Sequence, residues 1–502
     1  MPTIVPFHSE WITFVIIFAL IMALIGLSEV LRRRLNISGE HTRQMVHVGV
    51  GLLVVTSPFI FRSAVPPAVL ALIFIILNLV ALQTERLKGM HSTTRTSYGT
   101  VFFPLTFLIL IGLYWYTDPA LLVVGMLIMT IADPAAAVIG TRTRHPRTFT
   151  LWHDTKTVQG SLTVFLVTFV IATGVFALAR AIDHVTVPGI LNLLIIGVCV
   201  GIVGMLGEAL SRAGSDNLTL PLGSALMLDI MQSLTFREQL AVLGWILLSF
   251  LLAYMSYKLK ALTRGGAAGA MLLGSIVFSI GGVYWVIPMV TFFILSSILS
   301  KIGKLRKTIL AGVVAKGSNR DLLQVYANGG VALVMAIVYF YTKQDIFYFM
   351  FLGSLAAATA DTWGTEIGVF AKRQPIHIVT RKPVPTGTSG GITVLGTSGL
   401  CAGAGVLTLS GILPIDYAIT LLFIIIAFSG VAGAIVDSIL GGTLQAQYSC
   451  PQCGKMTEKK AHCGGQSTTL ISGHQWIDND LVNLVCTATG ALLVGVLYLL
   501  LF

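Results

Sequence analysis

The sequence predicts an all-α, polytopic integral membrane protein of about 16 transmembrane helices, set out as two parallel eight-helix repeats. Three observations predict it. Apolar runs of about 20 residues, each long enough to cross a bilayer core, recur along the whole chain. The basic residues fall almost entirely in alternate loops. Two similar acid-bearing segments, "IADPAAAVIG" at 131–140 and "TADTWGTEIG" at 359–368, hold the same ordinal place in the two halves.

The first observation follows from bulk composition. A chain of 502 residues that is 55% hydrophobic and 11% charged lies outside the range of ordinary soluble domains. Spans are expected at 11–31, 45–61, 67–83, 99–116, 119–140, 161–180, 188–207, 218–234, 238–256, 262–280, 283–300, 323–341, 347–370, 389–410, 416–445 and 480–501. The polar 218–234 stretch is the weakest of them, and 416–445 is too long for one straight crossing. The N-terminal "MPTIVPFHSE" lacks the Lys or Arg of a signal-peptide n-region.

The second observation sets orientation. Loops near 32–44, 84–98, 141–160, 208–217, 257–265, 301–322, 371–388 and 446–479 together hold 28 of the 32 Lys and Arg residues. The opposite loops hold only Arg62, Arg180, Arg237 and Lys343. Such a split matches the positive-inside rule with both termini outside, and removing one span would scramble it. Orientation and anionic lipid account for the net charge of +11 without a nucleic-acid partner. A plasma or inner membrane of a prokaryote, with functional loops facing the cytoplasm, is the expected location.

The third observation extends along both halves, divided at 235/236. "SYGTVFFPL" (97–105) and "YANGGVALV" (326–334) open the fourth and twelfth spans. "KTVQGS" precedes the sixth span and "KPVPTGTSGG" the fourteenth. Glu208 and Asp437 end the seventh and fifteenth, while Asp216 with Asn217 and Asp478 with Asn479 precede the eighth and sixteenth. An even number of spans per half gives copies of the same orientation.

An acid inside a span costs several kcal/mol unless it meets a cavity, a partner or a metal. Asp133 and Asp361 lie about 10 Å from the cytoplasmic helix end at ~1.5 Å per residue. Either they serve function or neighbouring helices and water satisfy them. Pro134 removes a backbone donor and predicts a broken helix beside Asp133. Glu366, Asp437 and Asp478 add carboxylates to the second half. Carboxylates, a lysine and Gly-rich backbone together suit phosphates held with Mg²⁺.

Phosphate or nucleotide contacts are therefore expected at Gly140, Gly160, Ser161, Asp216, Asn217, Asn328, Gly387, Thr388, Ser389, Gly390 and Asn479. "PTGTSGG" reads either as an anion nest at a helix N-terminus or as a flexible loop. Lys156, Arg381 and Lys382 read as phosphate ligands or as ordinary positive-inside residues. Arg43 and His47, one helical turn apart, suit a phosphate contact and a base toward an alcohol; His47 equally suits a headgroup anchor. No G-x-x-x-x-G-K-[ST] P-loop occurs in the sequence. In "CPQCGKMTEKKAHC", Cys450, Cys453, His462 and Cys463 form either a zinc site or a set of free thiols. Cys199, Cys401 and Cys486 read as packing residues.

At these residues the sequence resembles two families. "RQMVHVGVG", "TSYGTVFFPL", "ADPAAAVIG", "KTVQGS", "GEALS" and "DNLTLPL" resemble the phytol kinase and dolichol kinase family of CTP-dependent polyprenol kinases. "ATADTWGTEIG", "VPTGTSGG" and "VDSILGGTLQAQYSCPQCG" resemble the phytyl-phosphate kinase family that includes transmembrane protein 19. The resemblance implies a phytol kinase-like domain at 1–235 and a phytyl-phosphate kinase-like domain at 236–502, with a cytoplasmic Cys/His loop at 446–479.

It further implies an isoprenoid alcohol such as phytol or geranylgeraniol taken to monophosphate and then diphosphate, with CTP as phosphoryl donor and Mg²⁺ as cofactor. Asp133, Lys156, Glu208 and His47 would be catalytic in the first half, and Asp361, Lys382 and Asp437 in the second. Mg²⁺ would be held by Asp133, Asp361, Glu366, Asp437 and Asp478. Competing classes are a transporter built from parallel repeats and a lipid-phosphate cytidylyltransferase.

Overall fold

The computed structural model describes residues 9–84, 97–309, 319–413, 415, 418–454 and 456–502. The "MPTIVPFH" segment, most of the basic loop 84–98 and part of the loop 301–322 lie outside them. The chain forms two compact units, Met1–Gly244 and Trp245–Phe502.

The first unit contains α1 (Glu10–Leu35), α2 (Gly39–Val55), α3 (Val65–Thr84), α4 (Gly99–Tyr114), α5 (Pro119–Arg142), α6 (Val158–Ile182), α7 (Ile190–Ala209) and α8 (Asp216–Gln232). Helix α9 (Phe236–Lys258) contains the division between the units. The second unit continues with α10 (Arg264–Gly281), α11 (Val283–Ile309), α12 (Leu322–Thr342), α13 (Asp345–Gly368), α14 (Val394–Ile412), α15 (Ile419–Thr443) and α16 (Asn479–Leu501). A helix thus lies under each expected span. Among the described residues, 13 helices are long and apolar enough to cross a membrane. Helix α4, at 16 residues, and α8, at 17, are too short to count among them, and α13 is not among them either.

Local chemistry sets the helix ends. Ser9, Ser38, Thr157, Thr263, Thr393 and Asp478 accept backbone N–H bonds as N-caps. Asp321 and Gln324 complete a capping box at α12. Asn36 and Lys343 close α1 and α12 in the left-handed region, at φ 51° and 55°.

In the first unit α5 packs against α2, α4, α6 and α8. It is buried nearly all round, with Leu121, Leu122, Val124, Met126, Ile128 and Met129 inaccessible, as expected of a central helix. Contrary to the expected break, α5 runs unbroken through Pro134. Packing by the neighbouring helices holds the turn that has lost its backbone donor. Within α6, Ile171–Val175 widens into a π-turn. At the far end of α5, Arg180 and Gln232 both bond Asp118, which ties α6 and α8 to its N-terminus.

In the second unit α13 is central, flanked by α11, α12, α14, α15 and α16. Its Phe349, Phe351, Leu352, Leu355, Ala356 and Ala357 are fully buried. Glycines let α13 and α16 approach closely: a Cβ on Gly490 would lie 2.5 Å from the Gly353 carbonyl oxygen. Asp133 and Asp361 therefore both belong to the central helix of their unit.

Short strands decorate the helix connections. Hairpin β1 (Thr148–Thr150) and β2 (Thr155–Thr157) leads into α6, and β3 (Ile376–His377) pairs with β4 (Gly391–Ile392) before α14. Between α15 and α16, β5 (Gln447–Ser449) pairs with β6 (Met456–Thr457) and β9 (Thr469–Ser472), while β7 (Ala461–His462) pairs with β8 (Gln466–Ser467).

Candidate active site

Lys156 enters the first cluster because Phe149↔Lys156 pairing sets it one residue before the Thr157 cap of α6. Its Nζ lies 2.7 Å from Glu208 Oε1 at the end of α7 and 3.3 Å from Asp216 Oδ2 at the start of α8. Ser161 Oγ donates to the other Glu208 oxygen at 3.1 Å, and Ser211 Oγ donates to Asp216 Oδ2 at 3.2 Å. Burial disfavours the lysine charge, but Asp216 and Glu208 outweigh it and hold the ammonium above the ordinary lysine range. The lysine is a fixed internal cation.

Beside it, Asn217 donates through Nδ2 to Gly99 O at 3.2 Å, while its Oδ1 is buried without a hydrogen-bond partner. Asp133, Asp216, Asn217, Arg43 and His47 all line one cavity of about 880 Å³. Its remaining wall is largely apolar, with Ile21, Ile25, Leu70, Phe74, Phe103 and Phe107. Arg43, His47, Val50 and Val54 follow one face of α2 along it. Eleven residues of helix correspond to about 16 Å. The cavity is thus a long apolar slot that ends among acids and bases, within the size range of small-molecule sites.

His47 is oriented by its Nε2, 3.1 Å from Met129 O on α5, and by edge-on contact with Phe103. A donated Nε2 hydrogen leaves Nδ1 as the acceptor. Arg43 pairs with Glu40 at 2.9 Å. Gly140 and Gly160 have a packing role: a Cβ on either would lie 2.8 Å from Thr157 Oγ1. The Gly160 N–H is committed to that same oxygen, at 3.0 Å.

In the second unit, Asp361 of α13 and Asp437 of α15 lie within hydrogen-bonding reach of one another. Asp437 Oδ2 is buried without a partner. Glu366, five residues beyond Asp361, is also buried. Among the described residues, Arg320 lies within electrostatic reach of these acids, and in the sequence it is one of the basic residues of the loop 301–322. Its burial lowers its pKa, and Glu366 and Asp361 partly offset this. Its guanidinium sits 5.5 Å from the Phe292 ring centre, and its backbone bonds Ala261 and Thr263. No local motif distinguishes it from an ordinary positive-inside arginine.

Lys382 and Arg381 are exposed on the β3–β4 connection, Arg381 at φ 56°. The "PTGTSGG" loop does not itself cap α14, since Thr393 does. Instead it folds back on the end of α15, so close that a Cβ on Gly390 would lie 2.6 Å from Gly442 Cα. Thr388 Oγ1 donates to Pro385 O, Gly387 takes φ 90°, and Ser389 Oγ donates to Glu458 Oε1 at 2.5 Å. His377 Nε2 reaches Gly442 O at 3.2 Å, pinning the same loop. Asn328 bonds Gln324 O within α12. Asp478 caps α16 through Leu481 N, with Asn479 as its first residue. Separately, the ligand atoms of Cys450, Cys453, His462 and Cys463 all lie within 4.8 Å of one another.

Mg²⁺ usually takes one or two protein carboxylates and fills its remaining positions with water and substrate phosphates. The carboxylates here suit that pattern. Asp133 and Asp216 share a cavity with the orphaned Asn217 Oδ1, and Asp361 adjoins an Asp437 that has an orphaned oxygen.

Helices of this length around buried polar clusters define an integral membrane protein. The chain belongs to the family described as integral membrane protein DUF92, whose model matches residues 247–491. It is similar to Protein PGR of Arabidopsis thaliana, 31% identical over 48% of this chain and 90% of that protein. A phytol kinase of Synechocystis sp. is 30% identical over 43% of this chain and 90% of its own length. An uncharacterized membrane protein of Methanocaldococcus jannaschii is 32% identical over 40% of this chain and 82% of its own. No solved structure matches the chain.

Proposed function

We propose that the chain is a membrane-embedded kinase of isoprenoid alcohols that works in two stages. The first unit takes the alcohol to its monophosphate, and the second takes the monophosphate to the diphosphate. The observation that carries this reading is the apolar slot of about 880 Å³ ending on Asp133, Asp216, Arg43 and His47, with Lys156 fixed behind Asp216. A long prenyl tail matches its wall, and a hydroxyl at its polar end would meet the acids. Similarity to a relative named phytol kinase supports the same chemistry.

The slot holds the tail and excludes water from the hydroxyl. Nδ1 of His47 accepts the hydroxyl proton as the alcohol oxygen bonds the terminal phosphorus of the nucleotide. The bond from that phosphorus to the bridging oxygen breaks, and a nucleoside diphosphate leaves. Lys156 and Arg43 neutralise charge on the transferring group. Mg²⁺ would be held by Asp133 and Asp216 with Asn217, and by Asp361 and Asp437 with Glu366. When bound it would offset the negative charge of the phosphates. In the second unit Arg320 takes the part that Lys156 has in the first, and the "PTGTSGG" loop with Ser389 closes over the phosphates.

CTP as donor, parallel repetition of the two halves and a cytoplasmic face for both sites complete the proposal. They are supported by the family resemblance, the order of the matching segments and the loop charges. The leaving product tests the reaction class. Purified protein given Mg²⁺, CTP and a C20 prenyl alcohol should release CDP with prenyl monophosphate. Pyrophosphate release would indicate cytidylyl transfer, and no nucleotide turnover with CTP, ATP or GTP would indicate transport instead.

A further inference from the structure

We propose that Cys450, Cys453, His462 and Cys463 bind one structural Zn²⁺, and that this clip fastens the "PTGTSGG" loop beside Asp437. The spacing of the four ligand atoms suits one tetrahedral metal ion. With Zn–S near 2.3 Å and Zn–N near 2.05 Å, sulfur and nitrogen ligands on a tetrahedron stand about 3.6 Å apart. His462 Nδ1 lies 3.4 Å from Cys453 Sγ and 3.2 Å from Cys463 Sγ, and all four ligand atoms fall within 4.8 Å of each other. Three sulfurs and one imidazole fill four positions and leave none open, as in structural rather than catalytic zinc sites. The three cysteines form no disulfide.

The segment also needs such a clip. Strands β6, β7 and β8 have two residues each. Between residues 450 and 472, only Cys450 and Thr457 are buried among the described residues. A lobe with no core of its own holds its shape through a metal or disulfides. Cys463 sits at φ 44°, a conformation that non-glycine residues adopt at a cost. Metal ligation compensates for that cost by placing its sulfur next to His462.

The lobe's shape matters beyond itself. Glu458, between the two ligand pairs, accepts the 2.5 Å bond from Ser389. Ser389 in turn adjoins Gly441, with its Cβ 3.5 Å from where a Gly441 Cβ would stand, one turn past Asp437. A disordered lobe would release Glu458 and with it the loop.

Zinc content is read independently of any enzymatic activity. Full-length protein purified without chelators should contain about one Zn²⁺ per chain by plasma mass spectrometry. Cobalt-exchanged protein should show thiolate-to-metal charge transfer with tetrahedral d–d bands. Cys453→Ser and Cys463→Ser should lose the metal, whereas Cys401→Ser should keep it. His462→Cys should retain it as a four-sulfur site, which separates lost ligation from misfolding. Limited proteolysis should then cut the metal-free variants within 450–472 and 385–391, and leave Cys401→Ser intact at both. Metal-free wild-type protein that also takes up no Co²⁺, or octahedral cobalt spectra, would overturn the site. Metal loss with no change in cleavage at 385–391 would overturn the coupling to the loop.

Discussion

Replacing Lys156 with Met keeps most of the side-chain volume and removes the cation between Glu208 and Asp216. At an effective dielectric of about 20, contacts of 2.7 and 3.3 Å represent roughly 6 and 5 kcal/mol of gross attraction. Desolvating three ions consumes most of that sum. Removing one partner nonetheless leaves two carboxylates uncompensated, at a cost of about 3–5 kcal/mol. The groups are only 17%, 6% and 16% exposed, so solvent relieves little of it. At about 2–4 °C per kcal/mol for a unit of this size, the melting midpoint of the first unit should fall by roughly 6–20 °C.

The assay is thermal unfolding in mild detergent, with thiol labelling of buried Cys199 as the readout for that unit. Adding Glu208→Gln and Asp216→Asn to Lys156→Met should recover more than half of the loss, because no buried charge is then stranded. Alcohol phosphorylation should stay about 10²–10³ below wild type in both variants. A Lys156→Met midpoint within about 2 °C of wild type, or a triple variant worse than the single, would refute the reasoning.

Filling the slot at its middle with Val50→Trp should abolish phosphorylation of C20 alcohols while short-chain alcohols remain substrates, as measured by product chromatography across chain lengths. Gly140→Val places carbon against Thr157 Oγ1, 2.8 Å from the nearest Cβ position. It should cost about 1–3 kcal/mol by thermal unfolding and lower monophosphate formation with it. In the second unit, Arg320→Leu should reduce conversion of prenyl monophosphate by about a hundredfold and leave alcohol phosphorylation unchanged. Lys382→Ala, at an exposed position, should alter the same rate by less than about tenfold.

Helices were legible because apolar length is a strong signal and each run has polar ends to stop it. The grouping of Lys156, Glu208 and Asp216 was legible from their places at span ends, although not their distances. The grouping of Cys450, Cys453, His462 and Cys463 was legible from spacing. Several details were not. Pro134 does not break α5, because the packing around that helix outweighs one missing donor. Arg320 looks in sequence like any arginine ahead of a span. Only the fold shows it half-buried near Asp361 and Glu366, a long-range fact that no local pattern encodes. Gly140 and Gly160 suggested phosphate contacts, whereas both make room for Thr157. The slot itself is assembled from residues between Ile21 and Asn217, so no window of sequence contains it.

The most direct measurement follows a radiolabelled C20 prenyl alcohol through purified protein with Mg²⁺ and CTP, and resolves alcohol, monophosphate and diphosphate. Asp133→Ala and Asp361→Ala run alongside wild type. The account predicts diphosphate from wild type, untouched alcohol from Asp133→Ala and accumulated monophosphate from Asp361→Ala. Monophosphate as the end product of wild type, or diphosphate from either variant, would contradict two sequential sites in one chain.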